Sequence, residues 1–426
     1  MTSRSALRRY TLVCFLTWLP IGLAMPSMVL LMTERGLGLA QAGLVLTVFS
    51  VVTLTLELPT GGLSDVLGRR VMAAVSAAIL TVALVLTAVS ATFWMFLAGY
   101  ALKGVARALS SGPATSWYVD TLHRIEGRGA DLKPGLSRGA AVESAALCLG
   151  VLAGGVLPLV VPPGAVFPLA APSLAGAVAA AVLLVVVLLA LPEPPRARVS
   201  PGGVLRDVPA TVVSGIRLTA GGPVLRRLML AAACSGVLLV SIELLTPGRL
   251  AGLAGTAEQG SAAYAVVAAL GFAGSAAGSA LAPRAARLAG SSARGAIAGV
   301  VLAAVSVGTL AATAGLGGAA GLATAGAVYV TLFAGVSVTG LLCLEMTHNA
   351  VTAAERTTVA SVSSLSLQSG GILANLTLGA LAAQAGVAAA WGLSAVVVLA
   401  SALLFVRMPV TGSSRAPDPA VRAGSG

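Results

Sequence analysis

A chain of 426 residues with 57% apolar and only 9% charged side chains is not a set of soluble domains, in which charged residues make up roughly 25%. Basic residues outnumber acidic ones 26 to 14, but they are scattered through short polar links. That argues against a nucleic-acid-binding stripe, and the mean hydropathy of +0.98 points to a bilayer as the solvent.

A spanning helix needs about 20 mostly apolar residues. Twelve stretches qualify: 10–32, 40–60, 71–91, 93–117, 139–161, 166–191, 226–248, 260–281, 294–315, 318–346, 357–382 and 387–407. The first follows Arg4, Arg8 and Arg9, but its apolar run is too long for a signal peptide and it is read as a span. Placing both termini and every even-numbered link on one side gathers 22 of the 26 basic residues there, while Arg35 and Arg249 fall on the other. This asymmetry predicts cytoplasmic termini. The segment 192–225, opening Pro192-Glu193-Pro194-Pro195-Arg196, is the longest polar stretch and reads as a cytoplasmic interdomain linker. The expected domains are a six-helix bundle over 1–191, that linker, a second bundle over 226–407 and a disordered cytoplasmic tail over 408–426. A shift of 217 residues places Gly61 on Gly278 and Arg70 on Arg287, a faint internal repeat consistent with two parallel halves.

Between the second and third spans runs Gly61-Gly62-Leu63-Ser64-Asp65-Val66-Leu67-Gly68-Arg69-Arg70. A link this short can only turn the chain at one membrane face, with glycines where backbones come close. The pattern G-x-L-x-D-x-x-G-R-R resembles the cytoplasmic signature of the major facilitator superfamily. Thr33-Glu34-Arg35-Gly36-Leu37 and Glu57-Leu58-Pro59-Thr60-Gly61 are similar to bacterial drug-exporter members. The resemblance implies an all-α polytopic fold of twelve helices in two pseudo-symmetric bundles, working by alternating access. It also implies that Asp65 meets the start of the eleventh helix near Arg356, that Asp120 partners Arg69 or Arg70, and that spans one, four, seven and ten line a central cavity. Two departures weaken the antiporter subtype. Tyr100 stands where the family's fourth helix has arginine, in Tyr100-Ala101-Leu102-Lys103-Gly104, and the proline expected after Gly150 and Gly154 is displaced to Pro158.

Charges inside spans are costly and mark function or structural ion pairs. Lys103 and Arg107 lie in span four, Glu243 in span seven and Glu345 in span ten. With Tyr100 they form the expected substrate and proton cavity. Glu243 is the first choice for a group that takes and releases a proton, while Glu345, Glu57 and Glu143 read equally well as interfacial ion pairs. Trp18, Tyr100, Tyr264, Tyr329 and Phe333 could form an aromatic wall, or simply pack between helices. No Walker, H-E-x-x-H or G-x-S-x-G motif occurs, so neither an enzyme nor a metal or organic cofactor is expected. The four cysteines and two histidines show no ligand spacing. The expected function is proton-coupled efflux of small amphipathic or drug-like compounds by a monomer. Its expected partners are a small-molecule substrate, protons and the lipid bilayer, and not nucleic acid. The alternative is a carrier for a sugar, amino acid or other metabolite. Arginine outnumbers lysine 24 to 2, which suggests a bacterial source and a bacterial plasma membrane.

Overall fold

Thr2 opens the first helix in the computed structural model, its hydroxyl accepting the Ser5 N–H at 3.3 Å as an N-cap. The structure describes residues 1–127, 129–162, 164, 166–192, 217, 219, 221–352 and 355–408, and of residues 58–66 and 356–357 the backbone only. Most of the predicted linker 192–225 and nearly all of the tail 408–426 lie outside the described residues. Helix α1 (Ser3–Ala24) continues through a short turn into α2 (Met28–Glu34). It is followed by α3 (Leu39–Leu67), α4 (Arg69–Val89), α5 (Phe93–Ser110), α6 (Pro113–Glu126), α7 (Lys133–Val160) and α8 (Ala171–Ala190). The second part of the chain forms α9 (Pro223–Ala254), α10 (Ala257–Ala289), α11 (Ser292–Ala312), α12 (Gly318–Asn349), α13 (Arg356–Ala385) and α14 (Val387–Ser401). No strand occurs among the described residues.

Eleven described segments are long and apolar enough to cross a membrane, with α1 and α2 counted as one. Helix α5 is not among them because Lys103 and Arg107 fall within its 18 residues, yet it packs along α3 and α4 in the place of the predicted fourth span. Apolar side chains face outward, with Leu189 at 77% and Leu403 at 71% exposure, which suits lipid and not water.

Two expectations need correction. The turn after the second span is one residue long: α3 runs through Leu67, and Gly68 alone, at φ 99°, separates it from Arg69. Residues 61–67 keep the helical hydrogen-bond ladder, and only Gly68 adopts the left-handed-side backbone that a glycine tolerates. The predicted span 93–117 also ends early. Gly112, at φ 95°, and Pro113, which lacks an N–H, break the helix after Ser110 and start α6 as a separate element. Asp120 therefore sits on α6 and not at the end of the fourth span.

We call the face where α1 begins the near face and the opposite one the far face. Helices α1–α8 pack among themselves and α9–α14 among themselves, and the halves meet mainly through α3 against α13 and α7 against α10. Small residues allow close approach, as membrane helices require. A Cβ on Gly150 would lie 2.9 Å from the Gly22 Cα, joining α7 to α1, and Gly236 and Gly370 pack on backbone of the facing helix along α9–α13. At the far face Gly379 of α13 approaches Leu39 of α3, and Gly155 of α7 approaches Ser261 of α10. One continuous apolar core runs through the second half and joins its Ile242 and Tyr264 to Leu30 and Val45 of the first. At the near face the first half keeps a separate core around Tyr10, Trp117, Tyr118 and Leu183, with the two tyrosine rings stacked 4.6 Å apart.

Candidate functional site

Helix α5 supplies the charges, and its small residues decide where they point. Gly104 and Ala108 are buried, and a Cβ on Gly104 would lie 2.8 Å from the Phe49 carbonyl oxygen. That side is pressed onto α3, and Tyr100, Lys103 and Arg107, spaced i, i+3 and i+7, share the adjoining face, which lines a cavity of about 310 Å³. Its walls are mostly apolar, from Ile21, Met25, Met28, Leu46, Phe49 and Leu80 among others. Lys103 Nζ lies 4.1 Å from the centre of the Tyr100 ring, and the Arg107 guanidinium carbon lies 4.8 Å from that of Trp18. Each cation is thus held on an aromatic face, which keeps part of its charge balanced in a desolvated place.

The second half contributes Glu243 to this cavity. Its neighbours Ser241, Ile242, Leu244 and Leu245 are buried in the core, so α9 turns this one carboxylate toward α5. Lys103 and Glu243 face the same space from opposite halves and act on each other through it. Among the described residues neither they nor Arg107 have an ion pair or side-chain hydrogen bond. Three charged groups in an apolar cavity without such partners are poised for water, protons or a ligand.

Toward the near face, the Glu57 carboxylate of α3 accepts hydrogen bonds at 3.2 Å from the Ser111 hydroxyl and at 3.2 Å from the Gln368 amide of α13, and so ties the two halves. Sequence reasoning missed Ser111 and Gln368; a lone glutamine inside an apolar span was the available signal. At the near face Arg69 forms an ion pair with Asp120 and donates to the Ser116 carbonyl at 2.7 Å. Arg70 donates to the Leu188 carbonyl at the end of α8. The side chains of Asp65 and Arg356 lie outside the described residues; the backbone of Gly61 belongs to α3 and that of α13 starts at Arg356.

Glu345 does not join the cavity. It is exposed near the end of α12, where the Ser292 hydroxyl donates to it at 3.0 Å, because α12 is 32 residues long and carries that position past the apolar region. The tenth span does not line the cavity either. Lining comes from α1, α2, α3, α4, α5, α7 and α8, with Glu243 added from α9, so the space leans into the first half. The aromatic wall is only partly present: Trp18 and Tyr100 line the space, but Tyr264 is buried in the core and Tyr329 packs against Phe333. The Tyr329 hydroxyl donates to Thr246 at 2.7 Å, which removes it from any ligand. Among the described residues no cluster of three histidine, cysteine or acidic side chains could hold a metal ion.

This architecture is found in known proteins. The family model of the Major Facilitator Superfamily matches residues 10–343. The nucleoside transporter NupG superposes with a TM-score of 0.76 at 12% identity, covering 94% of this chain and 98% of its own. A bacterial homolog of the human lysosomal transporter Spinster, in an inward-facing and unoccupied conformation, gives 0.70 at 15% identity and 95% of both chains. A POT family transporter in complex with 5-aminolevulinic acid gives 0.70 at 13% identity, with 95% and 98% coverage. At such identities the likeness shows the fold alone. No curated protein matches the sequence. The family-model match over residues 10–343, well over half of the sequence, makes the chain a member of the Major Facilitator Superfamily, a multi-pass membrane transporter.

Proposed function

We propose that this transporter exports small amphipathic compounds in exchange for protons, by alternating access between its halves. The observation that carries the reading is the cavity itself: apolar walls, with Lys103 and Glu243 facing each other across it from opposite halves. A rocking motion that separates the near-face ends in one state and the far-face ends in the other changes the distance and hydration between these charges. In this reading the far-face seams, Gly379 against Leu39 and Gly155 against Ser261, keep that side closed. Glu243 then exchanges its proton according to which side water reaches it from. Asp65, at the near-face turn, holds one state by approaching the N-terminus of α13, where the positive helix end favours an anion. The near face is cytoplasmic, the membrane is a bacterial plasma membrane, and residues 192–225 link two six-helix domains.

Proton flux in proteoliposomes challenged with lipophilic cations, antibiotics, sugars and amino acids tests this. Drug-triggered proton movement that disappears in Glu243→Gln is the expected result. Silence with drug-like compounds and a response to one metabolite would reassign the cargo, and full proton coupling in Glu243→Gln would remove Glu243 as the carrier.

A further inference from the structure

The charges on the cavity wall describe the compound it receives. Resting on the proposed transport reading, we infer that the substrate is a small amphipathic zwitterion, its anionic end on Arg107 and its cationic end on Glu243. The lining holds two cations, Lys103 and Arg107, and one carboxylate, Glu243. None of the three has an ion pair or side-chain hydrogen bond among the described residues. A simple cation drawn to Glu243 meets Lys103 on the facing wall and Arg107 one turn further along α5. A simple anion drawn to the arginine shares a small apolar space with the carboxylate, where like charges are poorly screened. A molecule that carries both signs satisfies all three groups.

The geometry also sets the order of the charges. Arg107 and Ser110 lie at the near-face end of the lining, and Arg107 presents a planar set of donors that fits a carboxylate, sulfonate or phosphate. Glu57 and Glu143 act on Arg107 from outside the lining, and Glu57 is already engaged by Ser111 and Gln368. Lys103 stands between the ends, opposite Glu243. When the substrate's ammonium takes Glu243, Lys103 is left free to turn to the anionic end. The middle of the molecule lies on Ile21, Met25, Phe49 and Leu80, which demands an apolar body. The volume, about 310 Å³, is at the small end of the range of about 300–1,000 Å³ typical of ligand pockets. Exchange follows from the same contact: Glu243 holds either a proton or the substrate's ammonium, so one leaves as the other arrives and the charge on that carboxylate stays balanced.

Three probes with one apolar body separate the possibilities: biphenylalanine, biphenylethylamine and biphenylpropionate, titrated calorimetrically into the full-length protein in lipid nanodiscs. Loss of a charge-assisted contact corresponds to roughly tenfold or more in affinity. Biphenylalanine is expected to bind at least about tenfold tighter than either singly charged analogue. Arg107→Gln should bring it level with the amine, Glu243→Gln should bring it level with the acid, and Glu243→Asp should keep its advantage. The same titrations with intact monodispersity guard against misfolded variants. An amine or an acid that binds as tightly as the zwitterion overturns the inference, as does an unchanged preference in both glutamine variants. The two readings fail separately. Zwitterion-selective binding without proton movement in liposomes upholds the substrate class and removes proton exchange. Amine-triggered proton movement without zwitterion preference upholds exchange and removes the substrate class.

Discussion

Arg9 near the start of α1 donates to the Ala190 carbonyl at the end of α8, at 3.1 Å. Arg227 near the start of α9 donates to the Val406 carbonyl just beyond α14, also at 3.1 Å. The two contacts close the first and last helices of each half in the same way, 218 residues apart at the donor and 216 at the acceptor. The glycine seams correspond too: α1 on α7 through Gly22, Gly150 and Gly154, and α9 on α13 through Gly236 and Gly370. Against this shared frame the cavity is lopsided. The first half supplies almost all its walls and both cations, and the second supplies Glu243, with Tyr329 tied to Thr246 in its own core. Backbone-level packing is therefore what the halves have in common, and a few polar side chains are what differentiates them.

If the seams are equivalent, their disruption should be equivalent. Gly154→Leu and Gly236→Leu each force a side chain onto facing backbone, Leu23 in one case and Leu367 in the other. Each should cost about 1–3 kcal/mol or more, seen as matched falls in thermal midpoint in detergent. A fall in only one would break the correspondence. The tie between the halves is next. Gln368→Leu removes one of the Glu57 hydrogen bonds and should shift the balance between the two transport states by about 1–2 kcal/mol. Spin labels at Leu67 and Glu355 should report a broadened or longer near-face distance, and an unchanged distribution would show that Glu57 is held by other contacts. Smaller again, Arg9→Gln and Arg227→Gln should each lower stability by about 0.5–1.5 kcal/mol, to similar degrees in the same melt. Unequal losses would mean that one clasp is ornamental.

The smallest expected effect is at the link before α13. The Glu355 carboxylate accepts the Thr352 N–H at 2.9 Å and its hydroxyl at 2.8 Å, which hold it below the usual carboxylate range. A depressed value in the folded state means that its contribution is present above the unfolded-state value and is lost as pH falls through the folded one. The protection factor of the Thr352 amide, its intrinsic exchange rate over the observed one at each pH, should therefore fall on acidification, and Glu355→Gln should flatten that dependence. An identical pH profile in the variant would contradict it.

Twelve apolar runs, their length and the arrangement of arginines in the links were readable directly, because a bilayer demands about 20 apolar residues per crossing and tolerates charge only at its faces or for a reason. The same rule made Lys103, Arg107 and Glu243 visible as exceptions. It failed at the breaks. Gly68 as a one-residue turn and the separation of α6 from α5 depend on backbone angles that a hydropathy count does not contain. It failed again at Glu345, where an acid in an apolar run proved to sit past the end of the apolar region.

Sequence by itself determined that the chain is a helical membrane protein and which side chains are too costly to be incidental, since both follow from transfer free energies summed along the chain, while the superfamily was legible only in the motif between the second and third spans. Tertiary structure alone decided that Glu243 faces Lys103 while Tyr329 does not face the cavity, and that Gln368 reaches Glu57 across the halves. Those facts depend on the rotation of each helix about its axis. That rotation is set by which small residues let a neighbouring backbone approach, and residues 83 to 311 positions apart must be brought together before it is fixed.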